Sequence, residues 1–78
     1  MPIPLSNIGT GQNVRVDQID GGRRIRAHLQ AMGMGRGTVV KVINNNASGP
    51  LIVALGSTRL TIGKGMAAKI LVEPALPP

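Results

Sequence analysis

Three features of this 78-residue sequence predict a small, mainly β fold in which five short strands wrap into a barrel with one inserted α-helix. The runs "QNVRVDQI", "TVVKVIN", "LIVAL", "TRLTI" and "KILV" are short and rich in β-branched residues, as strands are. Glycines and asparagines separate them as turn punctuation. Only one stretch, about residues 22–32, carries the 3.6-residue period of an amphipathic helix. Strands this short leave unpaired edges unless the sheet closes, so a small closed barrel is the natural solution.

Taken in order, "MPIPLSNIGTGQ" predicts a single helical turn near residues 5–8, with Ser6 as its cap and Leu5 and Ile8 as its apolar residues. "QNVRVDQI" then alternates Val14 and Val16 against Asn13, Arg15 and Asp17, and "DGG" closes the strand. In the helix, Ile25, Leu29 and Met32 form one stripe facing the core, while Asp20 lies close enough to cap its start. Gly33 suits the left-handed position that ends many helices. "TVVKVIN" turns Val40 and Val42 to one side, and "NNNASGP" is a polar loop. "LIVAL" is almost wholly apolar, which predicts a strand buried on both faces, and "GS" predicts a two-residue hairpin with Gly56 at positive φ. "TRLTI" points Leu60 and Ile62 inward and Arg59 and Thr61 outward. A second helical turn is expected near residues 64–68, then a last strand, "KILV". The proline-rich end, residues 74–78, is expected to be a flexible tail that cannot extend a sheet. The expected structural core is Ile25, Leu29, Met32, Val40, Val42, Val53, Leu60 and Ile70, within one domain spanning residues 1–78. A five-stranded barrel interrupted by one helix is SH3-like in outline.

Composition excludes several function classes. With no cysteine there is no disulfide framework and no thiolate metal site, and one histidine with three acids cannot build an all-protein metal cage. No nucleophile stands with a base, and Asp17 and Asp20 read as turn and cap residues, so no enzyme is expected. "TIGKG" has a glycine and a lysine after a strand but lacks the spacing of a phosphate-binding loop. The first residues lack the basic region and apolar run of a signal peptide, and no apolar stretch is long enough to insert in a membrane, so a cytoplasmic protein is expected. Nine Lys and Arg against three Asp and Glu give +6, which points to an acidic partner. RNA is one such partner, and small barrels bind it. The chain, however, contains no Phe, Tyr or Trp on which unpaired bases could stack, which argues against nucleic acid.

The spacing of residues carries a further signal. Leu29-x-x-Met32-Gly33-Met34-x-x-Gly37, Gly49-Pro50 before a strand, and the run from Arg59 through Ala67 and Ala68 to Ile70 and Val72 resemble the FeoA family. These are small proteins or domains of bacterial ferrous-iron transport, and the likeness covers Leu5 to Val72. It implies an SH3-like barrel with an inserted helix. It also implies a cytoplasmic accessory protein that binds the GTP-binding domain of the transporter FeoB. It brings no set of iron ligands and no cofactor. Self-association of the chain is left open by the apolar "LIVAL" strand.

The helix "GGRRIRAHLQAM" loads Arg23, Arg24 and Arg26 onto its N-terminal end, where the helix dipole already carries positive charge. That arrangement is unfavourable by a few tenths of a kcal/mol per cation at low salt. Arg23, Arg24, Arg26, His28, Gln30 and Arg36 are therefore the candidate partner-binding residues, offering guanidinium forks to carboxylates. The alternative is a small basic RNA-binding module, for which the same cations would contact phosphates.

Overall fold

The computed structural model describes residues 1–77. Its strands are β1 (Ile3–Pro4), β2 (Asn13–Ile19), β3 (Val39–Asn45), β4 (Leu51–Leu55), β5 (Thr58–Ile62) and β6 (Ile70–Pro74). A 3₁₀ turn, Leu5–Asn7, follows β1; helix α1 (Arg23–Ala31) follows β2; and a short helix α2 (Lys64–Ala67) follows β5. All strand pairs are antiparallel in one sheet of order β1-β6-β2-β3-β4-β5. The sheet therefore has six strands where five were expected. The added one is β1, which pairs Ile3 with Val72 and Pro4 with Leu71. The hydrogen-bond ladder does not close: β1 and β5 remain as its two edges. β1 cannot complete the circle because it is two residues long and Pro4 has no N–H to donate.

Two bulges set which side chains enter the core. β2 pairs Val16 with Val72 and then Gln18 with Leu71, leaving Asp17 as the extra residue. A strict alternation from Val14 and Val16 would send Gln18 inward; the bulge consumes one residue and buries Ile19 instead. β3 repeats the device at Ile43, between Val42 and Asn44. The core holds Leu5, Ile8, Val14, Val16, Leu29, Met34, Val40, Val42, Leu51, Val53, Ile62, Ala67, Ile70 and Val72 with Ile19. Of the residues expected there, Leu29, Val40, Val42, Val53 and Ile70 are fully buried, while Ile25, Met32 and Leu60 are half-buried against the cluster. β4 alternates, with Leu51 and Val53 buried and Ile52, Ala54 and Leu55 half-buried, so "LIVAL" is not covered on both faces.

The end of α1 explains Met34. Met32 closes the helix, Gly33 takes φ +90°, the Gly33 N–H donates to Gln30 O at 2.9 Å and the Met34 N–H to Leu29 O at 2.8 Å. This is the Schellman arrangement, in which the residue after the glycine comes to lie beside the helix's last turn, and it sends Met34 into the core with Leu29. At the other end the helix starts at Arg23, with Gly22 extended before it, and no side chain caps it. Asp20 does not cap it as expected: the N-cap position falls two residues on, at Gly22, while the Asp20 N–H donates to Lys69 O at 2.6 Å and holds Asp20 at the end of the β2–β6 ladder. Nor does Ser6 cap the first turn, since the turn's leading residue is Pro4 and Ser6 sits inside it. The "GS" turn is as expected, with Leu55 opposite Thr58 and Gly56 at φ +61°.

Asn45, expected in the loop, belongs to β3 and ties three elements together. Its side-chain amide donates to Ser6 O at 3.1 Å and Ile8 O at 2.6 Å, and its backbone N–H donates to the Thr10 hydroxyl at 3.1 Å. Its amide oxygen accepts from Lys64 Nζ on α2. At the far end of the chain β6 runs through Glu73 and Pro74, and the Ala75 N–H donates to Asn13 O at 3.0 Å. Pro74, expected in the tail, is therefore part of β6. Pro74 is tolerated because β1 ends short of it, so no strand seeks an N–H there. Pro78 of that tail lies outside the described residues. Among the described residues no helix is long and apolar enough to cross a membrane.

Candidate docking cleft

The arginine-rich helix is held on the sheet by Leu29, with Ile25 and Met32 beside it. With about 100° of rotation per residue, fixing that stripe fixes every other side chain. Arg24 and His28, one turn apart, take one flank of α1; Arg23, Arg26 and Gln30 take the other; Ala27 and Ala31 form the crest between them. All five polar residues are exposed. The six residues expected to act as one surface are thus divided between two.

One of the two flanks borders a cleft of about 350 Å³, lined by Val16, Asp17, Gln18, Ile19, Arg26, Gln30 and Arg36. Each wall has a local cause. Arg36 occupies the corner of a turn closed by the Thr38 N–H on Gly35 O at 3.2 Å, with Gly37 at φ +89° as a type II turn requires. The Gly37 N–H donates to Val16 O at 2.7 Å and Val16 N–H to Thr38 O at 2.8 Å, which seats this turn against β2. Opposite, the bulge turns Asp17 and Gln18 out of the regular pleat. β3 pairs with β2 only as far as Arg15, so beyond Val16 the β2 edge is left to the cleft. Sequence reasoning found Arg26, Gln30 and Arg36 but missed Asp17 and Gln18, whose signal was the break in alternation between Val16 and Ile19.

The charges around the helix are not neutralised within the fold. α1 has no acidic residue in its first turn. Among the described residues the one ion pair is Arg15 with Glu73, at 3.5 Å between β2 and β6, and its exposure makes it worth well under ~1 kcal/mol. Among the described residues, Arg23, Arg24, Arg26 and Arg36 have no carboxylate within salt-bridge distance. The three acids fall at positions 17, 20 and 73, so no acidic residue occurs between residues 21 and 72. Among the described residues no three of His, Cys, Asp and Glu gather into a metal-binding group. The chemistry on offer is recognition: two guanidinium forks, two carboxamides and the Asp17 carboxylate around an open cleft.

Comparison with known proteins places this geometry in a family. The model of the FeoA domain matches residues 3–74. A protein of Methanocaldococcus jannaschii named "Putative Fe(2+) transport protein A" is 39% identical over 72 residues, covering 92% of this chain and 87% of that protein. The crystal structure of an iron uptake regulatory protein, FeoA, superimposes with a TM-score of 0.89 at 36% identity, over 96% of this chain and 100% of that one. A FeoA-like protein from Clostridium acetobutylicum gives 0.82 at 28% identity, over 97% and 90%. A manganese-dependent transcriptional repressor gives 0.84 at 20% identity, over 95% of this chain and 42% of its own, and shares the fold alone.

Proposed function

This chain belongs to the FeoA domain family, and on that premise we propose that it is a cytoplasmic accessory protein of ferrous-iron uptake that docks on the GTP-binding domain of the transporter FeoB. The observation that carries the docking reading is the set of arginines on and beside α1 that have no carboxylate partner among the described residues. Of the two flanks, the one with Arg26, Gln30 and Arg36 receives the partner, since Arg26 and Arg36 both line its cleft and offer guanidinium groups to carboxylate side chains. Ferrous iron is the transporter's cargo in this reading; this chain binds the transporter and does not carry the ion. The rival reading, a basic RNA-binding module, draws on the +6 charge but has no aromatic residue to stack on bases.

Calorimetric titration into the FeoB cytoplasmic domain tests the docking, with and without GTP, at ~0.15 M salt where weak surface attractions are already screened. Saturable binding is expected. The double reversal Arg26→Glu with Arg36→Glu should weaken it about tenfold or more and leave the melting temperature unchanged. Unchanged affinity in that variant would remove the cleft from the interface. A parallel titration with structured RNA should lose its signal as salt rises; RNA binding that persists, with none to FeoB, would establish the rival reading.

A further inference from the structure

The two edges of the sheet are built differently. β1 is short and carries proline before and at its end, Pro2 and Pro4, which deprives an incoming strand of donors. β5 has five residues with neither proline nor glycine, and its register with β4 is unbroken from Leu55↔Thr58 to Leu51↔Ile62. No strand lies on its other side, and Thr58, Arg59 and Thr61 are exposed. Only Arg59 supplies the charge by which edge strands usually discourage pairing.

The hairpin decides which backbone groups of β5 are free. In a two-residue hairpin the residues flanking the turn, here Leu55 and Thr58, exchange both hydrogen bonds. Alternation then makes Val53 with Leu60, and Leu51 with Ile62, the next hydrogen-bonded pairs. The N–H and C=O of Arg59 and Thr61 consequently point away from β4, and among the described residues they have no backbone partner.

We propose that this edge is a self-association surface, on which β5 of a second copy pairs antiparallel about a two-fold axis through Leu60. The register argues for a second copy as occupant, because β5 is complementary to itself. Centring on Leu60 sets Arg59 of one copy opposite Thr61 of the other, and the reverse. The four outward-pointing groups of each copy are then all paired, in four hydrogen bonds, and the two arginines lie diagonal to one another and not directly opposite. Centring on Arg59 would oppose like charges, which is unfavourable across strands. Centring on Thr61 would bring Gly63, beyond the strand end, opposite Arg59. With the axis at Leu60, the two leucines form the non-hydrogen-bonded pair, where Cα atoms approach to about 4.5 Å. Leu60 points to the same side as its buried partner Val53 and is only half-buried, so its exposed remainder is covered by its own copy.

Each copy carries +6, so the copies repel at long range and association strengthens as salt screens them. Docking on an acidic partner weakens with salt, so the two activities respond oppositely and stand or fall separately. The test combines sedimentation equilibrium with amide exchange on the wild-type chain. From about 0.02 to about 2 mM protein, a range suited to a small interface, a monomer–dimer equilibrium should appear, shifted toward dimer between ~0.15 and ~0.5 M salt. Exchange at the Arg59 and Thr61 amides should slow with protein concentration. Thr58, Leu60 and Ile62, already bonded to β4, should not change. Thr61→Pro removes one outward N–H without touching the β4 ladder and should abolish the dimer, whereas Thr61→Val should keep it. A chain that stays monomeric at both salts, a dimer that leaves Arg59 and Thr61 unprotected, or protection that appears only when the FeoB domain is added would each overturn the proposal.

Discussion

Replacing Asn45 by aspartate makes a prediction whose sign opposes simple charge counting. Lys64 on α2 already donates to the Asn45 amide oxygen, so Asn45→Asp would convert that contact into an ion pair. A surface pair of this kind adds at most ~1 kcal/mol. The same change removes the amide's donors to Ser6 O and Ile8 O and puts an acceptor oxygen before each carbonyl. A buried carbonyl left without a donor costs ~1–3 kcal/mol. Both contacts are only partly buried, so the low end applies to each, about 2–3 kcal/mol together. Subtracting the ion-pair gain leaves a net destabilisation of about 1–2 kcal/mol. In a domain of 60–100 residues that lowers the melting temperature by roughly 4–16 °C. Thermal melts followed by circular dichroism, with urea titration as a check, measure it. Lys64→Met, which removes the cation and leaves both carbonyls bonded, should cost less than Asn45→Asp. If Asn45→Asp equals or exceeds the wild type in stability, the amide does not hold the first turn to β3, and the argument fails.

Two further outcomes test the ends of α1. Gly33→Ala forces an L-residue to φ +90° and brings its Cβ to 2.8 Å from the tip of Leu55. The Leu55 tip can move, so the backbone term dominates and the loss of stability should be about 1–2 kcal/mol, read from the urea midpoint; a neutral result would deny the Schellman geometry. Gly22→Asp adds a capping carboxylate where nothing stands within 4 Å and should stabilise by about 0.5–1 kcal/mol in melts at low salt. The same variant should weaken FeoB binding, and a gain in stability with undiminished affinity would detach the helix start from the interface.

The strands and the helix were legible in the sequence because each element here obeys its own period: Val14 with Val16, Val40 with Val42, Ile25 with Leu29 and Met32. The departures share one physical origin. Periodicity reads a segment in isolation, while a bulge is a relation between two strands, so the half-turn that buries Ile19 instead of Gln18 is invisible until β6 is in place. β1 escaped for a related reason, since two residues between prolines have no period, and only pairing with Leu71 and Val72 makes them a strand. Asn45 reads as one more polar loop residue in "NNNASG"; its role exists only once the first turn and α2 converge on it. Met34 could have been foreseen from its place directly after Gly33, because a glycine ending a helix commonly brings the next residue back onto the last turn.

The same distinction governs the candidate interface. That α1 carries excess positive charge can be read from composition and from the dipole argument alone. Which arginines act together cannot, because Arg23, Arg24 and Arg26 are near neighbours in sequence yet diverge around a helix that turns about 100° per residue. Arg36, ten residues after Arg26, joins it only because the Gly37 N–H on Val16 O draws the following turn against β2. A carboxylate capping α1 at Gly22 would accept from the free N–H groups of the first turn and at the same time cancel part of the positive field that the proposed interface offers to an acidic partner. A helix start left without an acid is therefore what the proposed docking surface requires, since an acid placed there would offset part of the charge it offers to a partner.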